Sequence, residues 1–307
     1  MQYPQAFPPA PGPPPRRTGI GWWLAGCGCL GLVGVFIVAV VVLAVVGATL
    51  SSDGGRPGSG PSTADRPVDP AVAEHLATFA RERDRYYQLA TELDGNPAAP
   101  LVADPARFQR LEENAKDPQL SRFSAQTVAH HAGLYRAELE KRVEAARKRR
   151  VNRTGSVTEG IVDQAGDGFI DIRWDAASAC PASKRKGWQT SGCVTKGDAL
   201  TVHLRPESEY HAEWARRMVV LHELAHVYQR ADRRTFEDRR GRVDRLLARG
   251  LFQGSEEKMA DCYALTHEDR WSLSDQYVET GYGYVCNRSE RRAIRRWAAR
   301  IDAPLPR

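Results

Sequence analysis

Charged side chains are absent from one long stretch of this 307-residue chain. Residues 20–50 contain no Asp, Glu, Lys or Arg, and Val, Leu, Ile, Ala and Gly dominate them. About 20 apolar residues cross a bilayer core as a helix, and a soluble helix rarely stays apolar for so long. We therefore predict a transmembrane helix over residues 19–50, with Trp22 and Trp23 in the headgroup zone. A cleavable signal peptide is the alternative, because residues 46–48 are small enough for a cleavage site.

Positive charge is also scarce on one side of this apolar stretch. Arg16 and Arg17 directly precede it, whereas Arg56 and Arg66 follow it at a greater distance. Positive residues favour the cytoplasmic side of a membrane. This predicts a cytoplasmic N-terminus and an extracytoplasmic C-terminal part.

Composition divides the chain further, since the proline-rich start cannot form helix or sheet and a Gly/Ser-rich segment follows the apolar one. We predict five parts: a disordered cytoplasmic tail (1–18), the transmembrane helix (19–50), a flexible linker (51–69), a helical spacer or subdomain (70–150) and a folded domain (151–307).

The cysteines include no Cys-x-x-Cys pair, which excludes a four-thiolate zinc site of the usual spacing. Two of the six lie in the apolar segment, and the remaining four lie on the predicted external side: Cys180, Cys193, Cys262 and Cys286. An even number in an oxidising compartment suggests two disulfides. Three pairings are possible, and nearness in sequence favours Cys180–Cys193 and Cys262–Cys286. Four free thiols are the alternative if the orientation is reversed.

The pattern of apolar residues in the last part predicts an α+β fold. Residues 168–174 alternate apolar and polar side chains, as a half-buried strand does, and residues 199–204 form a second strand. A Gly/Ser/Lys-rich loop connects them. Helical segments then follow at about 207–230, 235–250 and 255–268. We expect a small antiparallel or mixed sheet packed on these helices.

The chain has only eight histidines, and two of them belong to the motif His222-Glu223-Leu224-Ala225-His226. Residues 219–228 contain no Gly or Pro and should be helical. Side chains four apart then share one face, so both imidazoles can reach one ion at about 2.0–2.1 Å. Glu223 would lie close to a water on that ion and could take its proton. The alternative is a helix whose histidines only satisfy hydrogen bonds in the core.

A catalytic zinc usually has three protein ligands, so the two histidines leave it one ligand short. A second motif, rich in acidic residues, follows further along the chain. Ser255 is a suitable N-cap, which puts Glu257 and Asp261 on one face of the next helix. Glu257 could supply the third ligand, and Asp261 could accept a hydrogen bond from a ligating histidine. Alternatively, Glu256 and Glu257 complement the helix dipole and Asp261 pairs with Lys258 on the surface.

These two motifs together resemble the gluzincin branch of the zinc metallopeptidases, in particular bacterial membrane-anchored neutral zinc metallopeptidase-like proteins with a Glu-x-x-Ala-Asp second motif. The match covers about 45 residues directly, and residues 155–307 by the order of their predicted elements. The resemblance implies a zincin-like fold and one Zn²⁺ per chain, with ligands His222, His226 and Glu257. It also implies Glu223 as general base and Asp261 as hydrogen-bond partner of His222.

The resemblance further implies that residues 199–204 line the cleft and pair with an extended peptide substrate. Such sites also have a side chain that stabilises the oxyanion. The sequence offers four candidates without selecting one: Tyr282, Tyr284, His267 and His211.

We therefore expect a membrane-anchored extracytoplasmic zinc metalloendopeptidase that hydrolyses peptide or protein substrates. The alternative is a catalytically weak or inactive peptidase-like protein that binds a partner at the cell surface, although such a site has no use for Glu223. The net charge of +6 and the Arg-rich segments 147–153 and 288–300 raise a third possibility, nucleic-acid binding. The predicted external location argues against this possibility, and no nucleic-acid partner is expected.

Overall fold

Residues 69–149, 154–183, 186–236, 238–303 and 305–306 are described by the computed structural model. The predicted tail and transmembrane helix and almost all of the predicted linker lie outside these residues. Within them, every helix is either too short or too polar to cross a bilayer.

The first described part is helical. It consists of four helices: α1 Pro70–Ala90, α2 Ala99–Val102, α3 Pro105–Ala115 and α4 Arg122–Arg149. Asp69 caps α1, since its carboxylate accepts a hydrogen bond from the backbone N–H of Ala71 at 2.9 Å. α1 packs along α4, and Tyr86 of α1 stacks on Phe108 of α3 with ring centroids 4.0 Å apart. These helices bury a hydrophobic core that also includes Phe169 of the second part.

The second part contains the sheet and the remaining helices. Its elements are α5 Val157–Gly166, β1 Asp171–Arg173, α6 Ala176–Ala179, β2 Gly192–Val194, β3 Thr201–Leu204, α7 Glu213–Arg234, α8 Arg242–Ala248, α9 Glu256–His267 and α10 Arg288–Ala299. The described residues are mostly helical with one small mixed sheet, so the predicted α+β class is confirmed. They belong to one compact unit, Pro67–Arg307, and the predicted boundary at residue 150 stays a prediction.

The three strands lie in the order β1-β3-β2. β1 runs parallel to β3, with Ile172 opposite Val202, and β2 runs antiparallel to it, with Cys193 opposite His203. β3 is therefore bonded on both sides and has no free edge. The prediction that residues 199–204 pair with a substrate is wrong, because the segment interpreted as a loop supplies β2, which takes that side of β3.

The predicted helices after the sheet exist with shifted boundaries. α7 starts at Glu213 rather than near 207, because residues 207–209 form a separate 3₁₀ turn. α8 is shorter than predicted and starts after Gly241. α9 starts at Glu256, and its N-cap is Ser255 as predicted. α7 lies at the centre of the second part and contacts β2, β3, α5, α8 and α9.

Both favoured disulfides are present, Cys180–Cys193 and Cys262–Cys286. The first joins the end of α6 to the middle of β2. The second joins α9 to the residue just before the N-cap of α10, and so closes residues 268–287 into a loop against α9. We name these residues the closing loop. The pairing predicted from nearness in sequence is confirmed.

Candidate metal centre

Three side-chain atoms from two helices lie close enough together to form a triangle. His222 and His226 lie on α7 and Glu257 lies in the first turn of α9. The two Nε2 atoms are 3.1 Å apart, and Glu257 Oε2 is 3.1 Å from each of them. This triangle is a group that could hold a metal ion. The structure thus brings together the three ligands that the sequence predicted.

The helical spacing produces this triangle only because α9 packs on α7. His222 and His226 are four residues apart, so their rings lie one above the other, with centroids 4.8 Å apart. Residues 220–225 are buried, which fixes the orientation of this face of α7. Ser255 Oγ caps α9 and so places Glu257 at the second residue of this helix.

The outer nitrogen of each imidazole has a hydrogen-bond acceptor. Nδ1 of His222 lies 2.9 Å from Asp261 Oδ1, and Nδ1 of His226 lies 2.8 Å from Gln229 Oε1. The amide nitrogen of Gln229 donates to the carbonyl of Glu256, so its oxygen faces the ring. In the neutral form of each ring these acceptors place the proton on Nδ1, which leaves Nε2 available to bind a metal.

Asp261 is only 1% exposed, so it is not the surface partner of Lys258 that the alternative interpretation gave it. Its second oxygen accepts the backbone N–H of Tyr282 at 2.7 Å. Without a metal, burial opposes the charge on His222, but the bonds to Asp261 and Glu257 outweigh it and raise the pKa of His222. Burial likewise acts to raise the pKa of Glu257, and the two imidazoles lower it below its usual range. Metal binding to this group should consequently release protons.

Glu223 lies beside the triangle on the same helix and is 5% exposed. Its Oε2 is buried without a hydrogen-bond partner. Burial raises the pKa of Glu223, while the charges of the neighbouring imidazoles lower it. A buried carboxylate oxygen with no partner is costly, and such groups are common where a site awaits a ligand or a reactant.

The closing loop brings Tyr282 to the triangle. Its ring stacks on His222 at 5.7 Å, with 18° between the planes. Partial burial and the nearby charge of Glu257 raise the pKa of Tyr282, so the phenol is protonated at neutral pH. Gly281 makes this approach possible, since a Cβ there would lie 2.7 Å from Asp261 Oδ1.

The other three candidates for an oxyanion-stabilising residue have different surroundings. The hydroxyl of Tyr284 donates to the carboxylate of Glu290, and Nδ1 of His267 lies 3.1 Å from Glu268 Oε1. His211 is exposed before the start of α7. Of the four, Tyr282 has contacts with the triangle.

The edge strand β2 lies against Glu223. A Cβ on Gly192 would lie 3.0 Å from Glu223 Cγ and 3.1 Å from Val219 Cγ1, so only glycine fits here without displacement. Gly192 was not predicted from the sequence, since nothing local distinguishes it from other loop glycines. Gln229 was not predicted either, although its helical spacing of three from His226 was an available signal.

Comparison with protein families, with curated proteins and with solved structures gives no match to this chain.

Proposed function

We propose that this chain is a zinc-dependent peptidase that acts outside the cytoplasm and is anchored through residues 19–50. The observation that carries the proposal is the triangle of His222, His226 and Glu257, with the unpartnered carboxylate of Glu223 beside it. Two disulfides support the location, since such bonds form and persist in oxidising compartments. The resemblance of the two motifs to gluzincins points the same way.

The donor set favours zinc. Two imidazole nitrogens and one carboxylate oxygen are the protein ligands of many catalytic zinc sites. Bonds of about 2.0–2.1 Å in a tetrahedron put ligand atoms about 3.3 Å apart, close to the 3.1 Å sides of the triangle. Three ligands leave the fourth position for water or substrate. When bound, zinc would supply Lewis acidity and lower the pKa of a water toward 7.

The residues around the triangle have separate tasks in the proposed hydrolysis. Asp261 and Gln229 hold the two imidazoles in the tautomer that presents Nε2. Glu223 takes a proton from the attacking water and returns it to the leaving amine. Tyr282, a protonated phenol, donates a hydrogen bond to the carbonyl oxygen that gains negative charge.

Peptide binding by strand addition suits β2 rather than β3. β2 is at the edge of the sheet, and Gly192 brings its backbone against Glu223. An extended peptide that pairs with this edge would lie beside the triangle. In this proposal the extended peptide pairs with the free edge of β2, whereas the resemblance had implied pairing with residues 199–204.

The test is metal content and hydrolysis in matched variants of the full-length protein. Glu223→Gln should retain about one zinc per chain and lose cleavage of a mixed peptide library by about 10²–10⁴-fold, the usual contribution of a general base. Glu213→Gln, the same change in the exposed first turn of α7, should behave as wild type.

Equal cleavage by wild type and Glu223→Gln would refute this mechanism. Wild-type protein that binds zinc and peptides without cleaving them would instead support the inactive binding protein.

A further inference from the structure

The free edge of β2 is short. In the antiparallel ladder, Gly192 lies opposite Leu204 and Val194 opposite Val202, and the N–H of Arg205 donates to the carbonyl of Ser191. Backbone groups of successive residues in such a ladder point to opposite edges. Ser191 and Cys193 therefore face β3, while Gly192 and Val194 face outward.

Arg230 occupies the far end of this edge. Its guanidinium donates to the carbonyl of Val194 at 2.6 Å and to that of Thr195. The outward groups that remain are the N–H and C=O of Gly192 and the N–H of Val194. A peptide paired with β2 therefore meets a cation, not further strand, beyond Val194.

Arg230 differs from the other arginines of α7 in its ion pairing. The other four arginines of α7 each lie within 4.0 Å of a carboxylate: Arg216, Arg217, Arg233 and Arg234. No carboxylate of the described residues lies that close to Arg230, although the side chain is partly buried and burial lowers its pKa. Its two hydrogen bonds to carbonyls leave three of the five guanidinium N–H groups for another acceptor.

Arg230 lies on the same face of α7 as the two histidines of the triangle. His222, His226 and Arg230 follow one another at intervals of four, so they share one face of α7. The guanidinium therefore lies one helical turn beyond the second imidazole, beside strand β2, whose Gly192 packs on Glu223.

We propose that Arg230 binds a carboxylate of the peptide substrate at the end of the short edge formed by Gly192 and Val194. This rests on the proposed peptidase function and narrows its substrate class to peptides with a negative charge at this place. A partly desolvated guanidinium gains strong, charge-assisted hydrogen bonds from a carboxylate. The carboxylate is either the C-terminus of the peptide or an acidic side chain.

The experiment measures binding without turnover. Full-length, zinc-loaded Glu223→Gln protein is dialysed to equilibrium against hexapeptide pools, and bound peptides are quantified by mass spectrometry. One arm compares C-terminal acids with C-terminal amides. The other compares pools containing Asp and Glu with pools containing Asn and Gln. Wild-type cleavage of the same pools is recorded separately.

We expect the charged pool of one arm to bind about tenfold more tightly, equivalent to about 1.4 kcal/mol. Arg230→Gln in the same background should remove the preference. Arg249→Gln, an equal charge change at an exposed residue after α8, should keep it. Zinc content and thermal unfolding of each variant establish that it is folded. The comparison of charged with neutral pools is made first on protein that keeps Arg230, so this measurement does not depend on the folding of Arg230→Gln.

Equal binding of charged and neutral pools in both arms, no binding of any pool, or a preference that survives Arg230→Gln would each overturn this inference. A preference for charged peptides without cleavage by the wild type would refute the peptidase function but support a carboxylate-binding site at Arg230. Cleavage without a preference for charged peptides would support the peptidase function and refute the carboxylate-binding site.

Discussion

The smallest change that tests the closing loop is Gly281→Ala. Gly281 has φ +69°, and a Cβ would lie 2.7 Å and 2.9 Å from the two carboxylate oxygens of Asp261. The same carboxylate accepts the N–H of Tyr282 and holds His222. The added methyl group therefore has to displace either Asp261 or the closing loop.

The expected cost has two contributions. A left-handed backbone costs a residue other than glycine about 1 kcal/mol, and an extra methyl in a packed site costs about 1–3 kcal/mol. Gly281→Ala should thus destabilise the protein by about 2–4 kcal/mol. Gly283 is a matched control in the same loop, since it has φ +71° and nothing within 4 Å of its Cβ position. Gly283→Ala should lose only the backbone contribution of about 1 kcal/mol.

Gly281→Ala should also weaken metal binding, because it disturbs the acceptor of a ligating imidazole. Loss of such a partner typically lowers metal affinity about 10–100-fold. Urea unfolding of the metal-free, disulfide-intact proteins measures the free energy of unfolding, and competition with a chelator measures zinc affinity. The reasoning is refuted if the two alanine variants agree in both measurements.

Two further predictions concern stability. Asp163 on α5 has a buried Oδ2 without a partner, and burial, followed by the charge of Glu159, raises its pKa from 3.8 to about 6. Because the folded state holds this proton more tightly than the unfolded state, the protein loses stability as pH rises from about 4 through 6. A shift of two pKa units corresponds to almost 3 kcal/mol of unfolding free energy. Partial screening by solvent reduces the expected loss to about 1 kcal/mol. Asp163→Asn should therefore stabilise the metal-free protein at pH 8 but hardly at pH 4.5 in urea unfolding, and equal effects at both pH values would contradict this. The double variant Cys262→Ala/Cys286→Ala should destabilise the protein by about 3.4 kcal/mol, the loop entropy for a separation of 24 residues. It should also weaken zinc binding because the closing loop supports Asp261, and unchanged zinc affinity on chelator competition would count against that support.

Features that depend on nearby residues were predictable from the sequence. His222 and His226 share a face because they are four apart on a helix without Gly or Pro, and the same spacing relates Glu257 to Asp261. Ser255 marks the start of α9 because its side chain caps backbone N–H groups within the next turn. The disulfide pairing followed from short separations along the chain.

Features that depend on distant residues were not predictable in this way. β2 has three residues with no alternating pattern, and it is a strand because β3 and the Cys180–Cys193 bond hold it there. Tyr282 could not be selected over Tyr284, since both lie in the same Gly/Tyr-rich stretch. Their difference arises from the partners they meet, the triangle for one and Glu290 for the other.

The sequence by itself determined which side chains share a helix face, because backbone geometry fixes the spacing of neighbours along a helix. Only the tertiary structure decided what each face meets: that α9 turns Glu257 toward two imidazoles, that β2 rather than β3 has the free edge, and that Arg230 closes this edge. These arrangements come from the packing of segments that are distant in sequence, for which no local pattern carries the information.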